Sequence, residues 1–242
     1  MDVEKRLQEA VQSFWTGRSS QADKQKEAGK IDAGSRGEIT GGQHMGELET
    51  LIVDILINAG LTDFDIKVKS KLELPGYYRA EKKWDVLVIS KGHLVAAIEF
   101  KSQAGDAIGN NLNNRAEEVV GLASDLWVAF REGLFHDSRP PFLGYFFLLQ
   151  DFSGVRKPVR CKEPYFPIDP IFKGLSYADR YAVLCQRLML ERLYNAVCLT
   201  LATRPDMNQP QTVISHPTPD VSFKRFVATL EGHIYTFLNS PA

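Results

Sequence analysis

The sequence is poor in cysteine, with three in 242 residues, and no two stand at Cys-x-x-Cys spacing, which excludes a thiolate zinc cluster. Cys185 and Cys198 fall on what reads as one long helix. A rise of about 1.5 Å per residue holds them too far apart there to bridge, so a disulfide scaffold is excluded as well. No uninterrupted apolar run approaches the roughly 18 residues that a membrane helix needs. The opening stretch, Met1 to Trp15, mixes charges with apolar residues instead of forming an uncharged secretory core, so a cytoplasmic protein without membrane contact is expected. Neither sign of charge is in excess: 29 Lys and Arg stand against 30 Asp and Glu, which excludes a chain coated for non-specific nucleic-acid binding. Gly-x-Ser-x-Gly, Walker and dinucleotide fingerprints are missing, and His44, His93, His136, His216 and His233 show no metal-ligand spacing.

What is present, 44% hydrophobic and 24% charged residues, fits one globular domain over 1–242. Val3, Leu7, Ala10, Val11 and Phe14 recur at helical spacing. From about residue 17 to 44 that pattern stops, and a polar stretch with Ile31 and Ile39 as its only large aliphatics predicts a mobile arm. Leu48, Leu51, Ile52, Ile55 and Leu56 predict a core helix ending at Gly60. Strands are expected at Phe64 to Ser70, Trp84 to Ile89, Leu94 to Lys101 and Phe142 to Gln150, the last buried on both faces. Leu74 to Arg79 reads as a polar connector. Further helices are expected from about Arg115 to Glu132, capped by Asn114, from Ser176 to Thr203, and from Phe223 to Leu238. The ordering is α/β, a mixed β-sheet flanked by helices.

Two adjacent strand segments, Trp84 to Ile89 and Ala96 to Lys101, carry three ionisable residues where a buried strand should have none. Period-two alternation puts Glu99 and Lys101 with Val95 and Ala97, away from Leu94, Ala96, Ile98 and Phe100, so the charged face is not expected to be the core face. Whether Asp85 joins them depends on the turn. A two-residue Lys91-Gly92 loop sets Asp85 against Ile98, on the wrong side. A three-residue Ser90-Lys91-Gly92 loop with Gly92 at positive φ places it opposite Ala97 and diagonal to Glu99, about 7 to 8 Å away, and only this register makes a site. Two hard oxygen ligands suit magnesium, and a neighbouring lysine can handle the attacking water and the growing phosphate charge. The bland alternative is a solvated cross-strand ion group.

The pattern Asp85…Glu99-Phe100-Lys101 resembles the active site of the PD-(D/E)XK nuclease superfamily, with Trp84 where that name has proline. Leu74-Pro-Gly-Tyr-Tyr-Arg79, Trp84-Asp-Val-Leu-Val88, the run from Gly109 to Glu118 and Phe172-Lys-Gly-Leu-Ser-Tyr177 are similar in content and order to the XhoI-type family of type II restriction endonucleases. The resemblance runs from Gln12 to about Leu190. It implies a PD-(D/E)XK core, Asp85 and Glu99 as metal ligands joined by the Phe100 carbonyl, and Lys101 as the catalytic lysine. It also implies magnesium-dependent cleavage of double-stranded DNA at the palindrome CTCGAG by a homodimer in a bacterial cell, paired with a cognate DNA methyltransferase. Many superfamily members add an acid from a preceding helix, for which Glu49, with Glu47 at the other edge of the same stripe, is the candidate. A solvated helix-flank glutamate is the plainer reading of either.

Asn110-Asn111-Leu112-Asn113-Asn114-Arg115 concentrates the side-chain types that bond adenine and guanine edges, so Asn111, Asn113 and Arg115 are candidate base readers. Caps and turns are their structural alternative. Tyr78 and Arg79, with Tyr77 before them, lead into Asp85 and could touch the DNA backbone. Lys82 and Lys83, with Lys67, Lys69 and Lys71, would form a local positive rim for phosphates. A repair or junction-resolving nuclease and a non-catalytic DNA-binding domain remain as alternatives on the residues alone.

Overall fold

The structure is a computed structural model that describes residues 2–27, 45–105 and 108–240. Its centre is a six-stranded mixed sheet in the order β1-β4-β5-β6-β7-β8, formed by Ile66–Lys67, Val86–Ser90, His93–Gln103, Phe142–Asp151, Ala196–Thr203 and Ile214–Ser215. The three central strands β5, β6 and β7 run parallel, and β1, β4 and β8 are antiparallel to their neighbours. Helices α1 (Val3–Glu27), α2 (Gly46–Asn58) and α6 (Phe223–Asn239) cover one face around Val86, Ile98, Phe100, Phe146 and Cys198. Helices α3 (Ile108–Arg131) and α5 (Tyr177–Leu190), with the short α4 (Ser153–Arg156), cover the other around Ala97, Tyr145, Phe147 and Leu199. Both faces are therefore core. The expectation that the face of Glu99 and Lys101 is not a core face is corrected: on that face Glu99 is buried and Lys101 half-buried, with Lys101 reaching Glu118 of α3.

Most expected elements form, and the departures have physical causes. The first helix continues to Glu27, so residues 17–27 of the expected arm are helical, while 28–44 lie outside the described residues. The third helix begins at Ile108, not Arg115, because Ile108 and Leu112 extend the buried stripe of Val119, Leu122 and Leu126 backwards. Burial there overrides the weak helix preference of the asparagines, and Asn114 lies inside the helix instead of capping it. Gly109 is needed at that start, since an added Cβ would meet the Tyr177 hydroxyl.

The expected helix from Ser176 to Thr203 is two elements. Its first part is α5, begun by a capping box in which Ser176 and Asp179 satisfy each other's backbone N–H groups; a turn with Arg192 at φ 56° follows, and then β7. Cys185 and Cys198 are thus on different elements, and both are buried free thiols. The stretch around Leu74 to Arg79 is a hairpin in which β2 (Glu73–Pro75) pairs with β3 (Glu81–Lys83), and only Ile66–Lys67 of the first expected strand is laddered.

The β4–β5 turn is the one that sequence parity disfavours. Ser90 pairs with His93 across a two-residue Lys91-Gly92 loop, both residues at positive φ (52° and 82°), as a primed hairpin turn requires. A bulge restores the parity. Ile89 pairs with Leu94 and Val88 with Ala96, so Val95 is the extra residue, and Val95 and Ala96 both point into the α1/α2/α6 core. From there Leu87 faces Ala97 and Val86 faces Ile98. Continued by one step, this register sets Asp85 beside Glu99, directly and not diagonally.

Candidate active site

The end of β4 and the middle of β5 bring Asp85, Glu99 and Lys101 together. Asp85 Oδ2 accepts a hydrogen bond from the Phe100 amide at 2.7 Å, which locks the carboxylate onto β5. Glu99 is 2% exposed, yet both its oxygens are engaged: Oε2 pairs with Lys82 Nζ at 3.0 Å and Oε1 pairs with Lys101 Nζ. Lys82 reaches across from β3, its ammonium over the Trp84 ring. Lys101 also meets Glu118 of α3 at 3.6 Å, and Glu118 in turn pairs with Arg115. A chain of alternating charges therefore runs Lys82–Glu99–Lys101–Glu118–Arg115 through the gap between sheet and helix.

The electrostatics follow from burial and crowding. Burial and the nearby Asp85 charge hold the Glu99 carboxyl above its ordinary pKa, against the pull of Lys101 and Lys82. Burial and Asp85 likewise raise Glu49, on the first turns of α2, with Lys69 opposing. Both carboxyls thus feel the Asp85 charge. Burial alone would lower Lys101, but Glu99, with Asp85 and Glu118, outweighs it and keeps the side chain an ammonium.

The other expected contacts are distributed unevenly. Asn111 is half-buried and Asn113 exposed, both on the early turns of α3. Arg115 is turned inward to Glu118. Tyr78 and Lys83 are exposed, whereas Arg79 is held by Asp125 at 2.6 Å. The Phe100 ring lies in the opposite core against Phe146. Sequence reading missed Glu118 and Asp125 as partners. Both leave a trace, Glu118 by standing three residues from Arg115 on one helix, and Asp125 as a lone acid inside the stripe Leu122, Ala123 and Leu126. Among the described residues no group of three or more His, Cys, Asp or Glu is gathered as a metal cage. The donors at the hairpin are nonetheless all hard oxygens, and the Asp85 charge adds to the burial that raises Glu99, which fits a hard divalent cation.

A mixed sheet flanked by helices, with paired carboxylates and a lysine on its central hairpin, is a restriction-endonuclease-like fold. The family model described as Restriction endonuclease XhoI matches residues 24–213, and the chain belongs to that family. Among curated relatives, the type II restriction enzyme BstVI of Geobacillus stearothermophilus is 40% identical over 216 residues, 87% of this chain and 96% of the relative. The type II restriction enzyme XhoI of Xanthomonas vasicola is 45% identical over 183 residues, covering 75% of this chain and 73% of that one. The type II restriction enzyme AbrI of Azospirillum brasilense is 46% identical over 151 residues, 62% of this chain and 68% of its own length. No solved structure matches the chain significantly. Type II restriction enzymes are site-specific deoxyribonucleases, and this chain is one by family. No helix among the described residues is long and apolar enough to cross a membrane.

Proposed function

We propose that the chain, acting as one endonuclease domain over 1–242, cuts double-stranded DNA with magnesium at the palindrome CTCGAG. The observation that carries this reading is the convergence of Asp85, Glu99 and Lys101 at a single strand register. The palindrome itself rests on the resemblance to the XhoI-type family. Asp85, Glu99 and the Phe100 carbonyl would hold the ion, with Glu49 at its margin. A magnesium ion bound there would polarise the scissile phosphate and make a water a better nucleophile.

The chain's own groups do the rest. Lys101, kept as an ammonium, donates to the phosphate oxygen on which charge grows and orients the attacking water. With Glu99 given over to a cation, Glu118 would still hold Lys101, and Arg115 would hold Glu118. Lys82 and Lys83 supply phosphate contacts, Lys82 by exchanging its Glu99 partner. Asn111 and Asn113 would meet base edges, Tyr78 lies open where the β2–β3 loop is tied to Asp125, and Arg79 and Arg115 reach DNA only by leaving Asp125 and Glu118. A palindrome presents the same half-site twice, so a two-fold homodimer fits it, and a cognate methyltransferase must shield the host's own sites. Digestion of a sequenced plasmid with magnesium, followed by sequencing of the ends, tests the proposal. Cuts confined to CTCGAG are expected; no metal-dependent cutting, or cutting without sequence preference, would refute it.

A further inference from the structure

The parallel strands β5, β6 and β7 end at one edge of the sheet, the edge at which α3 begins and toward which Lys101 lies. Ligand-binding loops of such sheets gather at that edge. The long loop over 157–175 leaves and returns there, between α4 and α5. Its base is fixed: Pro158 bridges Ser176, the Val159 amide donates to the Leu175 carbonyl at 2.9 Å, and Arg180 donates to the Val159 carbonyl at 2.7 Å. Tyr177, the next residue, stands against Gly109 at the start of α3. One turn later Tyr181 lies within the electrostatic reach of Arg115. The loop is therefore anchored to the helix whose Glu118 touches Lys101.

Beyond that base the loop carries Tyr165 and Phe166, 89% and 84% exposed. Its two acids are occupied, Glu163 by Lys173 and Asp169 by Arg187. Lys157, Arg160 and Lys162 are exposed and have no carboxylate partner among the described residues. Adjacent bare aromatic rings flanked by uncompensated cations are the surface that a polyanion with apolar faces would cover. A second copy of the chain fits less well, because a two-fold contact would bring this loop against its own like charges.

We propose that the 157–175 loop is a DNA-binding arm: Lys157, Arg160 and Lys162 contact phosphates flanking the scissile one, and Tyr165 and Phe166 lie against sugars and base edges in the groove. This rests on the nuclease reading above. The full-length protein and two variants, Lys157→Gln/Arg160→Gln/Lys162→Gln and Tyr165→Ala/Phe166→Ala, would be titrated by fluorescence anisotropy against a CTCGAG duplex over a salt series with calcium. Plasmid cleavage with magnesium and sedimentation would be run in parallel, and circular dichroism melting would establish that each variant folds. The triple variant should bind with a salt slope smaller by about 2 to 3, near 0.9 per lost phosphate contact. The double aromatic variant should bind roughly tenfold more weakly at an unchanged slope, in the range of lost ring contacts.

Wild-type slope in the triple variant together with wild-type affinity in the aromatic one, while the unaltered enzyme binds and cuts, would overturn the arm and leave the nuclease reading intact. Failure of the unaltered enzyme to bind or cut any duplex would overturn both. Variants that turn a wild-type dimer into monomers would also overturn it, making the loop a subunit contact.

Discussion

Replacing Asp125 should loosen the β2–β3 hairpin loop while leaving the sheet intact. The Asp125 side chain, 5% exposed, accepts the Tyr77 and Tyr78 amides at 2.8 and 2.9 Å and the Arg79 guanidinium at 2.6 Å. Asp125→Ala leaves three donors without an acceptor. Charged hydrogen bonds are worth about 1.5 to 3 kcal/mol each, but Arg79 and the loop are exposed enough for water to recover part of that, so a loss of about 3 kcal/mol is expected. Asp125→Asn keeps an oxygen for the two amides and loses the charge opposite Arg79, for about 1 to 2 kcal/mol. Burial would raise the Asp125 pKa, yet the Tyr78 and Tyr77 amides and Arg79 outweigh it and hold the carboxyl below its ordinary value. Its stabilisation is therefore complete above the unfolded value of about 3.9 and is lost as pH falls through the lower folded value. Urea unfolding of wild type and Asp125→Asn at pH 7 and pH 3 should show a gap that shrinks at the acid end. A gap equal at both pH values, or below about 0.5 kcal/mol for Asp125→Ala, would refute this account.

In metal-free protein, Asp85→Asn should lower the carboxyl pKa of both Glu49 and Glu99, because the Asp85 charge raises each; carboxyl-resolved NMR titration showing Glu49 unmoved would remove it from the site. Glu118→Ala should reduce the cleavage rate at saturating duplex by about 10-fold or more with little change in KM, whereas Glu118→Gln, which can still accept from Lys101, should recover part of it. Arg115→Ala offers a choice of mechanism: a loss of about 1 to 3 kcal/mol of mismatch discrimination marks guanine reading, and a lower rate at full discrimination marks a role through Glu118. Sedimentation should find a dimer; monomer alone, free and on DNA, would contradict the two-fold reading.

Much of the frame was legible in the residues. The stripe Leu48, Leu51, Ile52, Ile55 and Leu56 gave α2 and Phe223 onward gave α6, each because burial and period agree, and Phe142 to Gln150 gave β6 because an apolar run of strand length stands by itself after Pro140-Pro141 and does not continue a helical pattern. β7 was not legible. Ala196–Thr203 is apolar on both faces, and a strand buried on both sides has no alternation to separate it from a helix. The candidate site residues Asp85, Glu99 and Lys101 stood out by type and spacing, but the geometry that brings them together did not. Turn parity disfavoured the loop that forms, since nothing in the sequence of Val95 and Ala96 announces the bulge that puts Asp85 beside Glu99. The pairings of Glu118 with Lys101 and of Lys82 with Glu99 escaped for another reason: they are set by the packing of α3 and by the β2–β3 hairpin, which local patterns do not fix.

Paired cleavage and gel-shift assays of Lys101→Ala and Asp85→Ala on a CTCGAG duplex, at fixed salt, test the central claim most directly. One loses the ammonium that meets the phosphate, the other a carboxylate of the cation site, and neither is assigned to reading bases. Both variants should retain specific binding and lose cutting. Lys101→Ala cutting at the wild-type rate would contradict the assignment of the β4–β5 hairpin as the active site.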